Sequence, residues 1–409
     1  YLMGVYHLDV KTAGMLAAFY SVPASLFRIY GGRLSDRYGA RSVMYVTFGV
    51  SVLTTFMLSY PPTTYIIEGV QGPITFRTEM GLIPFLVTIF VLGFFMSLGK
   101  AAVFKHIPVY YPNHVGAVGG LVGMIGGLGG FVLPLAFGAL LDLTGVWTSA
   151  FVLLLVLVGL ALVWMHFAVR HMERSAVRRG QAGQMPELPE MQGFGEPGIS
   201  APPRRAGPIA DWRPEEPDFW TREGRPVARR NLWISTYCLM LSFAVWMVWS
   251  VVVARLPAIG FDFTTDQLFW LAALPGLSGA TLRIFYAFLV PVFGGRLWTT
   301  MSTASLLIPA FGIGYAVQSP DTPYLIFLVL ALLCGLGGGN FASSMANISF
   351  FFPKSEKGNA LAINAGLGNL GVSLMQFLVP VVITMGLFGA LGGQAQVGSD
   401  GTQLWMQNA

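Results

Sequence analysis

The stretch that decides the fold class runs Phe151-Val-Leu-Leu-Leu-Val-Leu-Val-Gly-Leu-Ala-Leu-Val-Trp164, without a single charged residue. Stretches of about 20 mostly apolar residues are typical of membrane-spanning helices, and the chain contains many such runs. Of its 409 residues, 54% are hydrophobic and 11% are charged, whereas a soluble domain carries roughly 25% charged residues. The composition therefore excludes a water-soluble enzyme and predicts an all-α polytopic membrane protein.

Ten apolar runs predict about ten spans, arranged in two blocks of five. Between the blocks, residues 170–230 hold 11 of the 24 basic and 9 of the 19 acidic residues, with many Pro and Gly. Such a segment cannot bury a core, so we expect a solvated linker between block one (1–169) and block two (231–409). The predicted spans are 13–34, 42–60, 82–106, 115–141, 147–169, 232–254, 266–292, 298–317, 324–352 and 358–388.

Basic residues fall in alternate connections, which is typical of cytoplasmic loops. This pattern predicts a multi-pass protein of the cytoplasmic membrane, with the linker 170–230 on the cytoplasmic side. The cations that support the orientation are Arg33, Arg37, Arg41, Lys105, Arg296, Lys354 and Lys357.

Two arginines are predicted to lie within or near spans, with no Asp or Glu deep in any span to neutralise them. Arg283 is placed mid-membrane, where an arginine costs about 2.5–3.5 kcal/mol on insertion scales. A transported anion would supply the missing counter-charge, and a planar guanidinium suits a planar oxyanion. The alternative is that backbone carbonyls or snorkelling satisfy Arg283. Arg28 is a similar candidate that could equally be an ordinary cytoplasmic-side arginine.

Two further charged residues are candidates for coupling and gating. Lys100 lies near the inner third of span three and could carry a proton with an anion, or simply snorkel to the cytoplasm. Asp36 lies in the charged segment Gly32–Gly39, which we expect to form a tight turn between two spans. There Asp36 could pair with a basic group at a helix end, or be solvated.

Small residues recur at helical spacing in both blocks. Such a face lets a neighbouring backbone approach closely and slide. In block two, Asn369 lies on the stripe as a candidate anion ligand or interhelical hydrogen-bond donor. Phe243 and Phe341 could wall an anion pocket with their positive ring edges, or be core residues. The stripes are Gly116, Gly120, Gly123, Gly127 and Gly130, and Ala362, Gly366, Asn369 and Ser373.

No cofactor, metal or nucleic-acid site is predicted. Gly366, Gly368 and Gly371 match GxGxxG by letters, but no strand precedes them, so the match is spurious. We expect these three glycines, like Gly127 and Gly130, to serve close helix packing or gating instead. The two cysteines, Cys238 and Cys334, lie inside apolar runs and have no metal-ligand spacing. No catalytic cluster is present, which argues against an enzyme.

The two blocks resemble each other weakly. Arg28 is followed by Gly31-Gly32-Arg33, and Arg283 by Gly294-Gly295-Arg296. Secondary transporters are built from such repeats, with the substrate site at the interface between halves.

Several motifs resemble the nitrate/nitrite porters (NarK type) of the major facilitator superfamily. Residues 366–376, Gly-Leu-Gly-Asn-Leu-Gly-Val-Ser-Leu-Met-Gln, look like the family's first nitrate signature, and residues 120–134 look like the second. The stretches 211–220, 280–285 and 339–353 also match, while 26–39 resembles the eighth span and its following loop.

The order of these motifs is unusual, because block one resembles a C-terminal half and block two an N-terminal half. The resemblance implies part of a tandem fusion of two carriers, of the kind that pairs a nitrate/proton importer with a nitrate/nitrite exchanger in denitrifying bacteria. It also implies that Arg28, Arg283, Asn369, Phe243 and Phe341 bind substrate. Since the arginines would come from different carriers, we expect them not to share a pocket.

The sequence thus predicts secondary transport of nitrate and nitrite across a lipid bilayer: antiport in block two, and nitrate/proton symport as a candidate mechanism in block one. A major facilitator porter for another small anion would share every feature read from the residues alone. A non-transporting membrane sensor is a weaker alternative. The oligomeric state is not predicted.

Overall fold

The structure is a computed structural model that describes residues 1–8, 10–111, 115–178, 212–398 and 401–409. It is almost entirely helical. The long helices are α2 (Val10–Tyr38), α3 (Ala40–Ser59), α4 (Leu82–Tyr110), α5 (Val115–Thr144), α6 (Ser149–Arg178), α8 (Arg225–Val253), α9 (Thr265–Phe293) and α14 (Lys354–Thr384). The shorter helices are α1 (Leu2–Tyr6), α7 (Pro217–Phe219), α10 (Gly295–Ala304), α11 (Leu307–Ala316), α12 (Tyr324–Cys334) and α13 (Leu336–Phe351).

Nine helical stretches in the described part of the chain are long and apolar enough to cross a membrane, and they coincide with nine of the ten predicted spans. The tenth prediction, 13–34, falls within α2, which is long enough to span but carries several charges. Two spans are interrupted: α10 and α11 together form one, and α12 and α13 another, the second break being at Gly335.

Two features differ from the prediction of an all-α chain. Strands β1 (Thr63–Gly69) and β2 (Gly72–Thr78) form an antiparallel hairpin between α3 and α4. Strands β3 (Gln396–Val397) and β4 (Gln403–Leu404) form a small second pair. The alternation of β-branched and polar residues through 63–78 is typical of a strand pair, but a search for long apolar runs does not detect it.

The non-helical part of the predicted linker is shorter than 170–230. Helix α6 continues to Arg178, and helical structure resumes at Pro217 with α7, followed by a π-helical turn over Trp220–Gly224. Residues 179–211 lie outside the described part of the chain.

A single glycine in each block ends the helix that carries the buried arginine. Helix α2 runs through the predicted turn at 32–39 and stops only at Gly39, with φ 81°; α9 stops at Gly294, also with φ 81°. A positive φ is easily adopted only by glycine. Each arginine precedes its glycine by eleven residues, so the repeat aligns Gly39, rather than the predicted Gly31-Gly32 pair, with Gly294.

The two blocks pack against each other along two helix pairs. Helix α2 lies on α14, and α5 lies on α9, while α13 also contacts α5. The main apolar core belongs to block two, where α8, α9, α12 and the end of α14 enclose Trp249, Phe327 and Ile383. The cross-block pairs are the elements that position the candidate site.

Candidate functional site

Arg283 is held in the middle of α9 by two backbone carbonyls. The helix begins with a capping box between Thr264 and Gln267 and places Arg283 where its side chain is 9% exposed. Its Nε donates to the carbonyl oxygen of Gly338 on α13 at 3.1 Å, and its Nη1 donates to the carbonyl oxygen of Gly123 on α5. Backbone carbonyls therefore satisfy part of the Arg283 guanidinium, as the alternative to anion binding proposed. Its other three N–H donors have no acceptor among the described residues.

The glycine face of α5 leaves the space that Arg283 occupies. A Cβ at Gly127 would lie 2.9 Å from Nη1 of Arg283, and one at Gly123 would lie 3.4 Å from its Cδ. Further along the same pair of helices, a Cβ at Gly276 would lie 2.8 Å from the carbonyl carbon of Gly130. The glycines at 123, 127 and 130 therefore allow α5 and α9 to pack closely around the arginine.

Arg28 is buried without such carbonyl partners. Its side chain is 4% exposed on α2, and it makes no hydrogen bond or ion pair with any described residue. The α2 backbone approaches α14 at Gly366, where a Cβ would lie 2.9 Å from the carbonyl oxygen of Ser25 and 3.5 Å from Cβ of Arg28. Gly366 therefore corresponds to Gly127: each is a small residue facing an arginine of the other block.

Both arginines contact the same aromatic ring. The Cζ of Arg283 lies 5.1 Å from the ring centroid of Phe341, and the Cζ of Arg28 lies 5.6 Å from it. The two guanidinium carbons therefore lie close to the same ring and cannot be farther apart than these two distances added together. The motif order predicts that the arginines do not share a pocket; the structure brings both to one ring on α13, although Arg283 does not line the cavity beside Arg28.

Three phenylalanines form the aromatic part of the site. Phe341 is contacted edge-on by Phe243, with centroids 6.3 Å apart, and by Phe104, with centroids 5.4 Å apart. Phe104 also lies 5.4 Å below the guanidinium of Arg28. The sequence analysis missed Phe104, because nothing distinguishes it among the 31 phenylalanines.

Other predicted site residues lie elsewhere. Asn369 donates to the carbonyl oxygen of Ala365 at 2.8 Å, one turn back on its own helix. The interhelical polar contact instead comes from Asn364, which donates to Ser344 at 3.0 Å and accepts from Thr236 at 3.3 Å. This amide is completely buried, and the sequence analysis did not identify it.

The structure places the other residues predicted for gating or coupling as follows. Gly368 and Gly371 face Leu239 and Met240 of α8, within block two. Lys100 is exposed on α4. Asp36 belongs to α2, but its side chain lies outside the described part of the structure.

A narrow cavity of about 10 Å³, room for about one water-sized sphere, lies beside Arg28. It extends toward the ends of α2 and α4 and the start of α14, the side predicted to be cytoplasmic. On the side of Arg28 away from this cavity, Ser21 donates to Gln376 at 2.7 Å and joins α2 to α14. The cavity is lined by Arg28, Gly32, Ala101, Phe104, Lys105, Met345, Gly358, Leu361, Ala362 and Ala365.

The family model described as Major Facilitator Superfamily matches residues 1–376. The chain belongs to this superfamily. The crystal structure of a D-xylose-proton symporter is similar in fold, with a TM-score of 0.56 and 16% identity, over 94% of this chain and 84% of that one. The prediction of major facilitator helices in a multi-pass membrane protein is therefore confirmed.

Individual relatives match about half of the chain. The nitrate/nitrite transporter NarU of Salmonella typhimurium is 58% identical over 201 residues, which are 49% of this chain and 44% of that protein. The probable nitrate/nitrite antiporter NarK2 of Thermus thermophilus is 49% identical over 205 residues, 49% of this chain and 46% of that protein. The chain spans about half the length of the curated relatives it matches. The predicted resemblance to nitrate/nitrite porters is confirmed.

Proposed function

We propose that the chain carries out secondary transport of nitrate and nitrite by alternating access, with Arg28 and Arg283 as ligands of one anion at the interface between the two blocks. The observation that carries this proposal is the environment of Arg28: a buried guanidinium with no hydrogen-bond acceptor among the described residues, facing the ring that Arg283 also contacts. A buried charge needs a partner, and a monovalent oxyanion would supply one. The names of the relatives favour nitrate and nitrite.

The contact of both arginines with Phe341 supports one shared binding site rather than the two separate carriers that the sequence predicts. Residues 1–169 and 231–409 would be two halves of one pocket, rather than parts of an antiporter and a separate symporter. Exchange then follows from electrostatics: an empty pocket with two uncompensated guanidinium groups crosses the membrane reluctantly, whereas an anion-filled pocket is partly neutralised. We infer a bacterial cytoplasmic membrane location with the linker facing the cytoplasm, and no enzymatic activity.

Counterflow in proteoliposomes tests the proposal. Vesicles loaded with nitrite should take up labelled nitrate, and Arg28→Lys should abolish uptake, because a lysine cannot form the planar fork. Formate and chlorate serve as competitors. If either displaces nitrate at equal concentration, the protein is a porter for small anions in general, the alternative that the residues alone leave open.

Proton coupling through Lys100 is a separate part of the proposal. Lys100 is exposed on α4 and is close enough to Arg28 for their charges to interact. If it carries a proton, Lys100→Met removes nitrate-driven alkalinisation of the medium but keeps nitrate/nitrite exchange. Equal pH changes in Lys100→Met and wild type would leave exchange as the only mechanism.

A further inference from the structure

The β1–β2 hairpin has one face whose centre is apolar, with threonines at one end and glycines at the other. In its antiparallel register, Tyr65 pairs with Phe76, and Ile67 pairs with Ile74. Residues directly opposite each other project from the same face of a strand pair, so these four side chains form one surface. The two aromatic rings lie 5.2 Å apart in a stacked arrangement. We call this surface the apolar face of the hairpin.

The opposite face is mainly polar. It is formed by Thr64 with Arg77, Ile66 with Thr75, and Glu68 with Pro73. Arg77 also forms an exposed ion pair with Glu79 at 2.9 Å. The hairpin is therefore amphipathic, with Ile66 as the one large apolar residue on the polar side.

Nothing in the described chain covers the apolar face. Ile67 is 51% exposed and Ile74 is 60% exposed, and every residue of β2 is exposed. Burying such side chains is favourable, whereas an isolated two-stranded hairpin is marginally stable in water at best. A hairpin of this composition requires a surface on which to bury its apolar face.

The position of the hairpin identifies that surface. Three residues connect α3 to β1, and three connect β2 to α4, so each strand begins within about 14 Å of the end of a membrane span. The hydroxyl of Tyr6 donates to the carbonyl oxygen of Met80 at 2.8 Å, which holds the second connection near α1. The base of the hairpin thus lies at the level where the spans leave the hydrocarbon core.

The spans on either side of the hairpin also expose apolar side chains near its base. The end of α3 exposes Phe56 and Tyr60, and the start of α4 exposes Ile83. In a membrane these side chains contact lipid. Aromatic and aliphatic residues beside such a boundary, with charges on the other side, are typical of elements that lie in the membrane interface.

We propose that the hairpin lies flat on the membrane, with the apolar face formed by Tyr65, Ile67, Ile74 and Phe76 inserted at the boundary between lipid headgroups and acyl chains. The occupant of this face is lipid rather than a second protein. Because the apolar face carries no charge, binding depends on the apolar surface and is insensitive to salt. The hairpin would thereby fix the depth of the connected ends of α3 and α4 while the blocks rock.

Site-directed spin labelling of the whole protein in liposomes tests this proposal. Single cysteines replace Ile67 or Ile74 on the apolar face, and Ile66 or Thr75 on the opposite face, in a Cys238→Ala, Cys334→Ala background. Ile66 and Ile67 form a matched pair, since they are adjacent and of one residue type but face opposite sides. The ratio of oxygen to nickel-chelate collisions should be clearly higher on the apolar face, because that face lies among acyl chains, and it should not change in high salt.

Equal nickel accessibility on both faces would overturn the proposal, because the hairpin would then stand in water. Spin–spin broadening of the Ile67 label that disappears on dilution with lipid would show a second copy as the occupant. Protection from both probes, without broadening, would show another protein. Each of these outcomes contradicts lipid insertion.

Discussion

The two buried arginines occupy equivalent positions in the repeat but have different surroundings. Arg283 is fixed by the carbonyls of Gly123 and Gly338, whereas Arg28 has no hydrogen-bond partner among the described residues. Both contact Phe341. The difference indicates that Arg283 contributes to structure, because it links α5 of block one to α13 of block two. In the proposed mechanism, Arg28, which lines the cavity, takes its partner from the transported anion.

The largest expected effect is on anion binding by Arg28. We expect Arg28→Lys to lower nitrate affinity by about 100-fold, since the ammonium keeps the charge but cannot form the paired hydrogen bonds of the planar fork, which contribute about 1.5–3 kcal/mol each. Thermal stability without nitrate should be unchanged or slightly higher, because no protein hydrogen bond is lost. Isothermal titration and a thermal-shift assay in detergent measure both quantities. Near-normal nitrate affinity in Arg28→Lys would remove Arg28 from the binding site.

Arg283→Lys should differ from Arg28→Lys, because it should lower both the nitrate affinity and the thermal stability of the protein. Hydrogen bonds to charged groups contribute about 1.5–3 kcal/mol each, and a lysine ammonium cannot reach two carbonyls on different helices in the same fork geometry. The melting temperature without nitrate should fall clearly below that of Arg28→Lys. Equal melting temperatures for the two variants would show that the carbonyl contacts of Arg283 add nothing.

Gly366 and Gly127, the glycines that face the two arginines, should also differ in how substitution by alanine affects stability and nitrate binding. A Cβ at Gly366 meets the backbone oxygen of Ser25, which cannot move without shifting α2, whereas a Cβ at Gly127 meets the end of the Arg283 side chain. We expect Gly366→Ala to cost about 1–3 kcal/mol of stability, and Gly127→Ala to weaken nitrate binding with a smaller loss of stability. Gly126→Ala is the matched control, because a Cβ there has no neighbour within 4 Å. If all three variants behave alike, close approach at these positions is unimportant.

The smallest expected effect concerns the hydrogen bond that joins α2 to α14 on the side away from the cavity. Gln376→Ala removes the hydrogen bond from Ser21 between α2 and α14, which contributes about 1 kcal/mol. The population open on that side should therefore rise about fivefold. A single cysteine at Ser25, labelled with a water-soluble thiol reagent added to that side, should react correspondingly faster in Gln376→Ala. An unchanged labelling rate would mean that this bond does not stabilise the closed state.

Much of the fold follows from the sequence, because a span needs only a long run of apolar residues. Nine predicted spans are confirmed, and the buried location of Arg28 and Arg283 is as predicted. The packing of α2 on α14 and α5 on α9 was not predicted, since it depends on contacts between residues more than a hundred positions apart. The motif order indicated two separate carriers, so the sequence analysis predicted that the two arginines do not share a site.

Individual polar residues were harder to assign than spans. Asn369 and Asn364 lie five positions apart on one helix, yet only Asn364 faces α8 and α13. The side of a helix that meets a neighbour depends on how the helices pack, which a single apolar stripe does not determine. The hairpin at 63–78 was missed for a different reason: it is short, and its signal has a period of two rather than 3.6.

The number of nitrate ions bound by each chain tests the central claim, that the two arginines serve one pocket. Titration calorimetry on the purified protein should give one nitrate per chain, and Arg28→Lys and Arg283→Lys should each abolish that single binding event. Two nitrates per chain, with one retained in each variant, would show two independent sites and contradict the shared pocket.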